Sequence, residues 1–167
     1  MKRTAVLAAA LVALLGVLVA PAQAVPAGAQ VGMDLARVRL ATVHFHNLQT
    51  ALDAGYVPAG DCVPGMGFHY FNPALAGPGL DVERPELLVY APTPSGRLRL
   101  VAVEWFQVDA DGRTDTDFDR PFLFGVGFDG PMEGHEPGMP VHYDLHAWVW
   151  EHNPDGMFAA FNPGIVC

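Results

Sequence analysis

The segment His142-Tyr143-Asp144-Leu145-His146 sets two imidazoles and a carboxylate at alternating positions. Read as a β-strand, it turns His142, Asp144 and His146 to one face, with neighbours about 7 Å apart, and leaves the other face to fill a core. Two adjacent side chains spaced in this way can reach one metal ion. Two further residues can complete the site: His69, in Gly67-Phe68-His69-Tyr70-Phe71, and Glu104, inside the most hydrophobic stretch of the chain. A carboxylate in such a setting needs a partner, because an unpaired buried charge is costly. A metal ion, a histidine or an arginine such as Arg99 would serve.

Methionines accompany these histidines. Met66 precedes His69, Met132 stands three residues before His135, and Met139 three before His142. Thioether beside imidazole favours copper, whereas imidazole with carboxylate and no sulfur favours zinc, iron or manganese. The expected ligands are therefore His69, His142 and His146, with Glu104, Asp144, Met66 and Met139 as supplementary donors. The expected cofactor is one transition-metal ion, copper ahead of zinc. His44 and His46 are weaker candidates, since residues two apart on a helix point about 200° from each other and cannot grip one ion together.

Composition removes other chemistries. Ser95 is the only serine, in the turn Pro94-Ser95-Gly96 with no G-x-S-x-G context, so a serine hydrolase is not supported. Lys2 is the only lysine, which leaves no Schiff-base nucleophile in a processed chain. Gly65-Met66-Gly67 opens no helix and matches no phosphate-binding pattern. Asp109-Ala110-Asp111-Gly112, followed by Asp115, Asp117 and Asp119, is as rich in carboxylates as a calcium loop but lacks EF-hand spacing, and reads as a polar hairpin turn. Two other functions stay open. One is a binding protein for an apolar small molecule, in a cavity lined by Phe68, Tyr70, Trp105, Phe122, Phe124, Trp148 and Trp150. The other is a metal-independent acid/base enzyme built on a His-Glu or His-Asp pair.

The elements that must position these residues begin after a targeting segment. Lys2 and Arg3, the apolar run Ala5 to Ala20 and the small residues of Ala22-Gln23-Ala24 predict a secretory signal over residues 1–24, cleaved before Val25. The expected location is secreted, extracellular or periplasmic. The remaining residues, 25–167, are expected to form a single globular domain, too acidic to partner nucleic acid or an anionic membrane. An oxidising compartment would join Cys62 to Cys167, the two cysteines of the chain.

Apolar residues at Leu35, Val38, Ala41, Phe45, Leu48 and Leu52 predict one amphipathic helix from Asp34, its N-cap, to Ala54. Beyond Gly60, short apolar or alternating runs separated by Gly and Pro predict strands near residues 67–72, 87–91, 98–108, 122–128 and 141–151. The run from Leu98 to Phe106 is apolar on both faces and so predicts a central strand covered on each side. Phe-Asn-Pro occurs at residues 71–73 and 161–163 and reads as a turn at both places. The predicted fold class is α+β, with one N-terminal helix packed on a curled antiparallel sheet, a cone or partial barrel; a jelly-roll β-sandwich is the alternative.

Several of these segments together resemble a family of exported bacterial proteins with no assigned activity. The matching stretches are Ala54-Gly55-Tyr56, Met66 to Asn72 (M-G-x-H-Y-x-N), Pro85 to Tyr90, and Val103-Glu104-Trp105, where the family often has Tyr in place of Trp. They end with Leu145 to Cys167 (L-H-x-W-x-W-x-x-N-P-x-G-x-F-x-x-x-N-P-x-x-x-C). The resemblance spans nearly the whole chain after the signal. It implies a shared architecture rather than a reaction, and it points to His69, Glu104 and His146 as the positions to test.

Overall fold

The computed structural model describes residues 26–167, so the expected signal and its cleavage point lie outside the described residues. The chain begins with α1 (Ala27–Thr42), a single 3-10 turn (Val43–His46) and α2 (Leu48–Asp53). The strands follow: β1 (Val57–Val63), β2 (Gly67–Phe71), β3 (Leu87–Pro92), β4 (Leu98–Val108), β5 (Phe122–Leu123), β6 (Val126–Gly127), β7 (Asp129–Met132) and β8 (His142–Ala147). Six strands pair antiparallel in the order β1-β2-β3-β4-β8-β7, and β5 and β6 form a separate small hairpin. The fold class is α+β as predicted, and no closed barrel forms among the described residues.

The predicted single helix is broken and begins earlier. Asp34 is not an N-cap; it lies inside α1, where it accepts hydrogen bonds from Gln30 and Arg37. α1 ends at Thr42, and Asn47 caps α2 by accepting from the Gln49 N–H. The break turns Phe45 into the core, where its carbonyl accepts from the Tyr90 hydroxyl at 2.7 Å. His44 and His46 fall on the 3-10 turn and are exposed.

β4 lies at the centre of the sheet, and its two apolar faces have different covers. Val103 and Trp105 face the helices, within a core that includes Val38, Phe45, Ala51, Tyr70, Leu88, Tyr90 and Leu145. On the opposite face Val89, Ala91, Ala102 and Trp148 are covered by Ile165 from the C-terminal segment. That segment is tied down by hydrogen bonds from Gly65 N–H to the Ile165 carbonyl (3.1 Å) and from Asn162 N–H to the Gly65 carbonyl (2.7 Å). The expected disulfide, Cys62–Cys167, closes it onto β1.

Turn chemistry fixes the connections. Asn72 and Asn162, the centres of the two Phe-Asn-Pro segments, are buried, and each accepts from the N–H two residues on, in Ala74 and Gly164. Gly67 has φ +114°, and a Cβ there would lie 2.5 Å from the Tyr90 carbonyl oxygen, so β2 can approach β3 at this point only with glycine. The segment predicted as one strand over residues 122–128 folds back on itself, and β8 is shorter than the predicted 141–151. The acidic loop caps its own backbone: Asp109 accepts from the N–H groups of Asp111, Gly112 and Arg113.

Candidate metal centre

Register brings the site together on the sheet face opposite the helices. Glu104 on β4 pairs directly with His146 on β8 and with Leu87 on β3. Leu87 pairs in turn with Phe71 on β2, so His69, two residues back, shares their face. β2 and β4 are about 10 Å apart, two strand spacings, and the His69 imidazole reaches across β3 to close the gap.

The result is a nearly equilateral triangle of donor atoms. His69 Nε2 is 3.3 Å from Glu104 Oε2, His146 Nε2 is 3.4 Å from the same oxygen, and the two nitrogens are 3.5 Å apart. The centre of such a triangle lies one side divided by √3, about 2.0 Å, from each corner, which is the length of a bond from zinc to imidazole or carboxylate. Among the described residues, these are the ones whose His, Cys, Asp or Glu donor atoms gather in a group of three or more that could hold an ion.

Electrostatics fit the same use. The side chains of His146 and Glu104 are 1 % and 6 % exposed, and His69 is 13 % exposed. Burial lowers His69 to about 4, helped by the nearby charge of His135, and lowers His146 to about 3, helped by His69. Both imidazoles are therefore neutral at neutral pH and can present lone pairs. Burial raises the Glu104 carboxyl well above its ordinary value, and the carboxylates of Asp144 and Glu86 push the same way. Glu104 Oε2 and His146 Nδ1 are buried without a hydrogen-bond partner. Arg99 does not answer the Glu104 carboxylate, because it pairs with Glu151. A cation at the centre of the triangle would supply the missing partner and displace the carboxyl proton.

The triangle opens into a cavity of about 490 Å³. Met66, Met139, His142 and Asp144, all expected as ligands, line this cavity but stand outside the triangle. Asp144 is raised to about 7 by burial and by Asp129, and His142 is lowered by burial. His135 lines the same space and was not among the expected ligands; its only signal in the sequence was the spacing from Met132.

The aromatic residues divide differently from the expected cavity lining. Tyr70, Trp105, Phe68, Phe124 and Trp150 pack in or against the helix-side core, Trp148 packs on the opposite face, and Phe122 is 66 % exposed. No helix among the described residues is long and apolar enough to cross a membrane. Comparison of the chain with protein-family models, curated proteins and solved structures finds no match.

Proposed function

We propose that the protein binds a transition-metal ion at His69, Glu104 and His146 and acts outside the cytoplasm, secreted or periplasmic, as a carrier or store of that metal. Copper is the leading ion and zinc the next. The observation that carries this reading is the triangle itself: three donor atoms 3.3 to 3.5 Å apart, from three strands, two of them on buried residues, with no arginine or lysine paired with the Glu104 carboxyl among the described residues. Two imidazole nitrogens and one carboxylate oxygen suit Zn²⁺ and Cu²⁺, and thioethers in the same cavity add a preference for copper. Export is supported by the basic, apolar and small-residue sequence of the N-terminus and by the disulfide.

An acid/base enzyme without metal fits less well. Imidazoles lowered to about 4 and about 3 are weak bases at neutral pH, where general-base catalysis works best with a value near the working pH. The test is metal analysis of protein purified from the exported fraction, followed by Cu²⁺ and Zn²⁺ titration of the stripped protein. The expected result is one tightly held ion per chain that is lost in His69→Ala and in His146→Ala. Binding no tighter than that of a surface-histidine control protein would overturn the proposal.

A further inference from the structure

The cavity holds a second group of donors that the triangle leaves unused. His135 lies in the loop between β7 and β8, and His142 opens β8; their rings are 5.1 Å apart at 77°. Two imidazoles sharing a tetrahedral ion have ring centres about 5 Å apart, because each ring centre sits about 3 Å from the ion.

His142 is already oriented as a ligand. Its Nδ1 lies 3.0 Å from the Pro140 carbonyl oxygen, a contact that requires the proton on Nδ1 and leaves the Nε2 lone pair free. A hydrogen bond from the non-ligating nitrogen to a carbonyl is the usual way a ligand histidine is held. Stacking on Phe106, at 4.9 Å, fixes the ring plane.

A soft donor stands beside the pair. A turn closed by the Met139 N–H on the Glu136 carbonyl, at 3.0 Å, folds Met139 back toward His135. The Met139 sulfur lies 3.4 Å from the His135 backbone nitrogen, which engages one of its lone pairs and leaves the other. His135, Met139 and His142 all line the cavity, with His135 exposed at its mouth and His142 only 1 % exposed.

We infer that His135, His142 and Met139 form a second, outer metal site, softer than the triangle and suited to Cu⁺. Two imidazoles and a thioether are a donor set that selects Cu⁺ over harder cations. The inference rests on the metal reading of this cavity, but its ligands are not those of the triangle, so the two can fail separately.

The experiment is anaerobic Cu⁺ titration, with ascorbate and a chromophoric Cu⁺ chelator as competitor, on the full exported chain. The wild type should take up one Cu⁺ per chain more than the double variant His135→Ala, Met139→Leu. These loop positions carry little of the core, so the variant keeps the fold; its uptake of one Zn²⁺ at the triangle serves as the check. X-ray absorption of the wild type should show a sulfur neighbour that the variant lacks. A single Cu⁺ in the wild type, lost with His146→Ala and kept in the loop variant, would overturn the outer site and leave the triangle standing. No metal in either titration would overturn both.

Discussion

Glu104 and His146 are directly paired residues of the β4–β8 ladder, and their side-chain atoms meet 3.4 Å apart on the buried face away from the helices. Because the pairing is a backbone property, the geometry of this half of the site is set by the register of two central strands. A one-residue slip would send the imidazole to the helix side. His69 is the adjustable corner, reaching in from β2 across an intervening strand.

A site built around a buried carboxyl with one oxygen left without a partner stores a conflict between stability and binding. Glu104→Gln keeps the shape and removes the anionic oxygen, so metal affinity should fall by at least the roughly 10- to 100-fold that changes to a ligand's own hydrogen-bond partners cost. Glu104→Leu should abolish binding and raise the melting temperature of the metal-free protein, since it removes a buried polar group whose unmet hydrogen bond costs about 1–3 kcal/mol. Calorimetry of the stripped proteins checks the sign. A leucine variant less stable than the stripped wild type would mean that the carboxyl is satisfied in the metal-free fold.

Metal binding should itself be visible as stability. An ion that binds only the folded chain adds about 2.7 kcal/mol at one hundred times its dissociation constant, or a melting shift of roughly 5–10 °C for a chain of this length. The shift should appear with Zn²⁺ or Cu²⁺, reverse with EDTA and be absent in His146→Ala. A similar shift in that variant would locate the ion elsewhere.

The site was legible in the sequence to the extent that its residues obey the period of a strand. The alternation His142, Asp144, His146 and the lone carboxylate of Glu104 in an apolar run both signalled one buried polar face. Two of the three alternating residues nevertheless lie outside the triangle, because period two tells which face a side chain takes but not which neighbour the next strand brings. His69 pairs with Val89 on β3, and only the order β2-β3-β4 sets it beside Glu104. The helix break at Thr42 was hidden for a related reason: the apolar spacing from Val38 to Phe45 suits a continuous helix, and the packing of Phe45 against the sheet decided otherwise. β1 carries Pro58 and Gly60 and has exposed residues along its length, so it lacked the apolar signature of a strand.

Glu86, which is not one of the three donors, gives a pH dependence of its own. It is 1 % exposed, receives a 3.2 Å hydrogen bond from the Phe106 N–H, and is raised from 4.5 to about 7, chiefly by burial. A carboxyl raised in the folded state holds its proton longer than the unfolded chain does, so the stability it contributes is complete below about pH 4.5 and lost as the pH rises toward and through 7. Glu86 should therefore pull the melting temperature down between pH 5 and pH 8, and Glu86→Gln should remove that pull, so that its slope over this range is more positive than that of the wild type. An unchanged slope in the variant would show that Glu86 titrates normally.

The disulfide should affect the cover of the site more than its ligands. Cys62–Cys167 closes a loop spanning 105 residues, and chain-entropy arguments give such a bridge about 4–5 kcal/mol. It also holds down the C-terminal segment, whose Phe161 lines the cavity and whose Ile165 packs on Val89 and Ala102. Replacing both cysteines by serine should lower the melting temperature by roughly 10 °C or more. The triangle's donors sit on β2, β4 and β8, however, and none belongs to the segment set loose. Metal stoichiometry should therefore survive the substitution, with affinity within about tenfold of wild type, while exchange with a chelator quickens because the buried face is open to water. If the serine variant keeps a native near-ultraviolet circular dichroism spectrum yet binds no ion, the C-terminal segment supplies a donor and the three-strand site as drawn is incomplete.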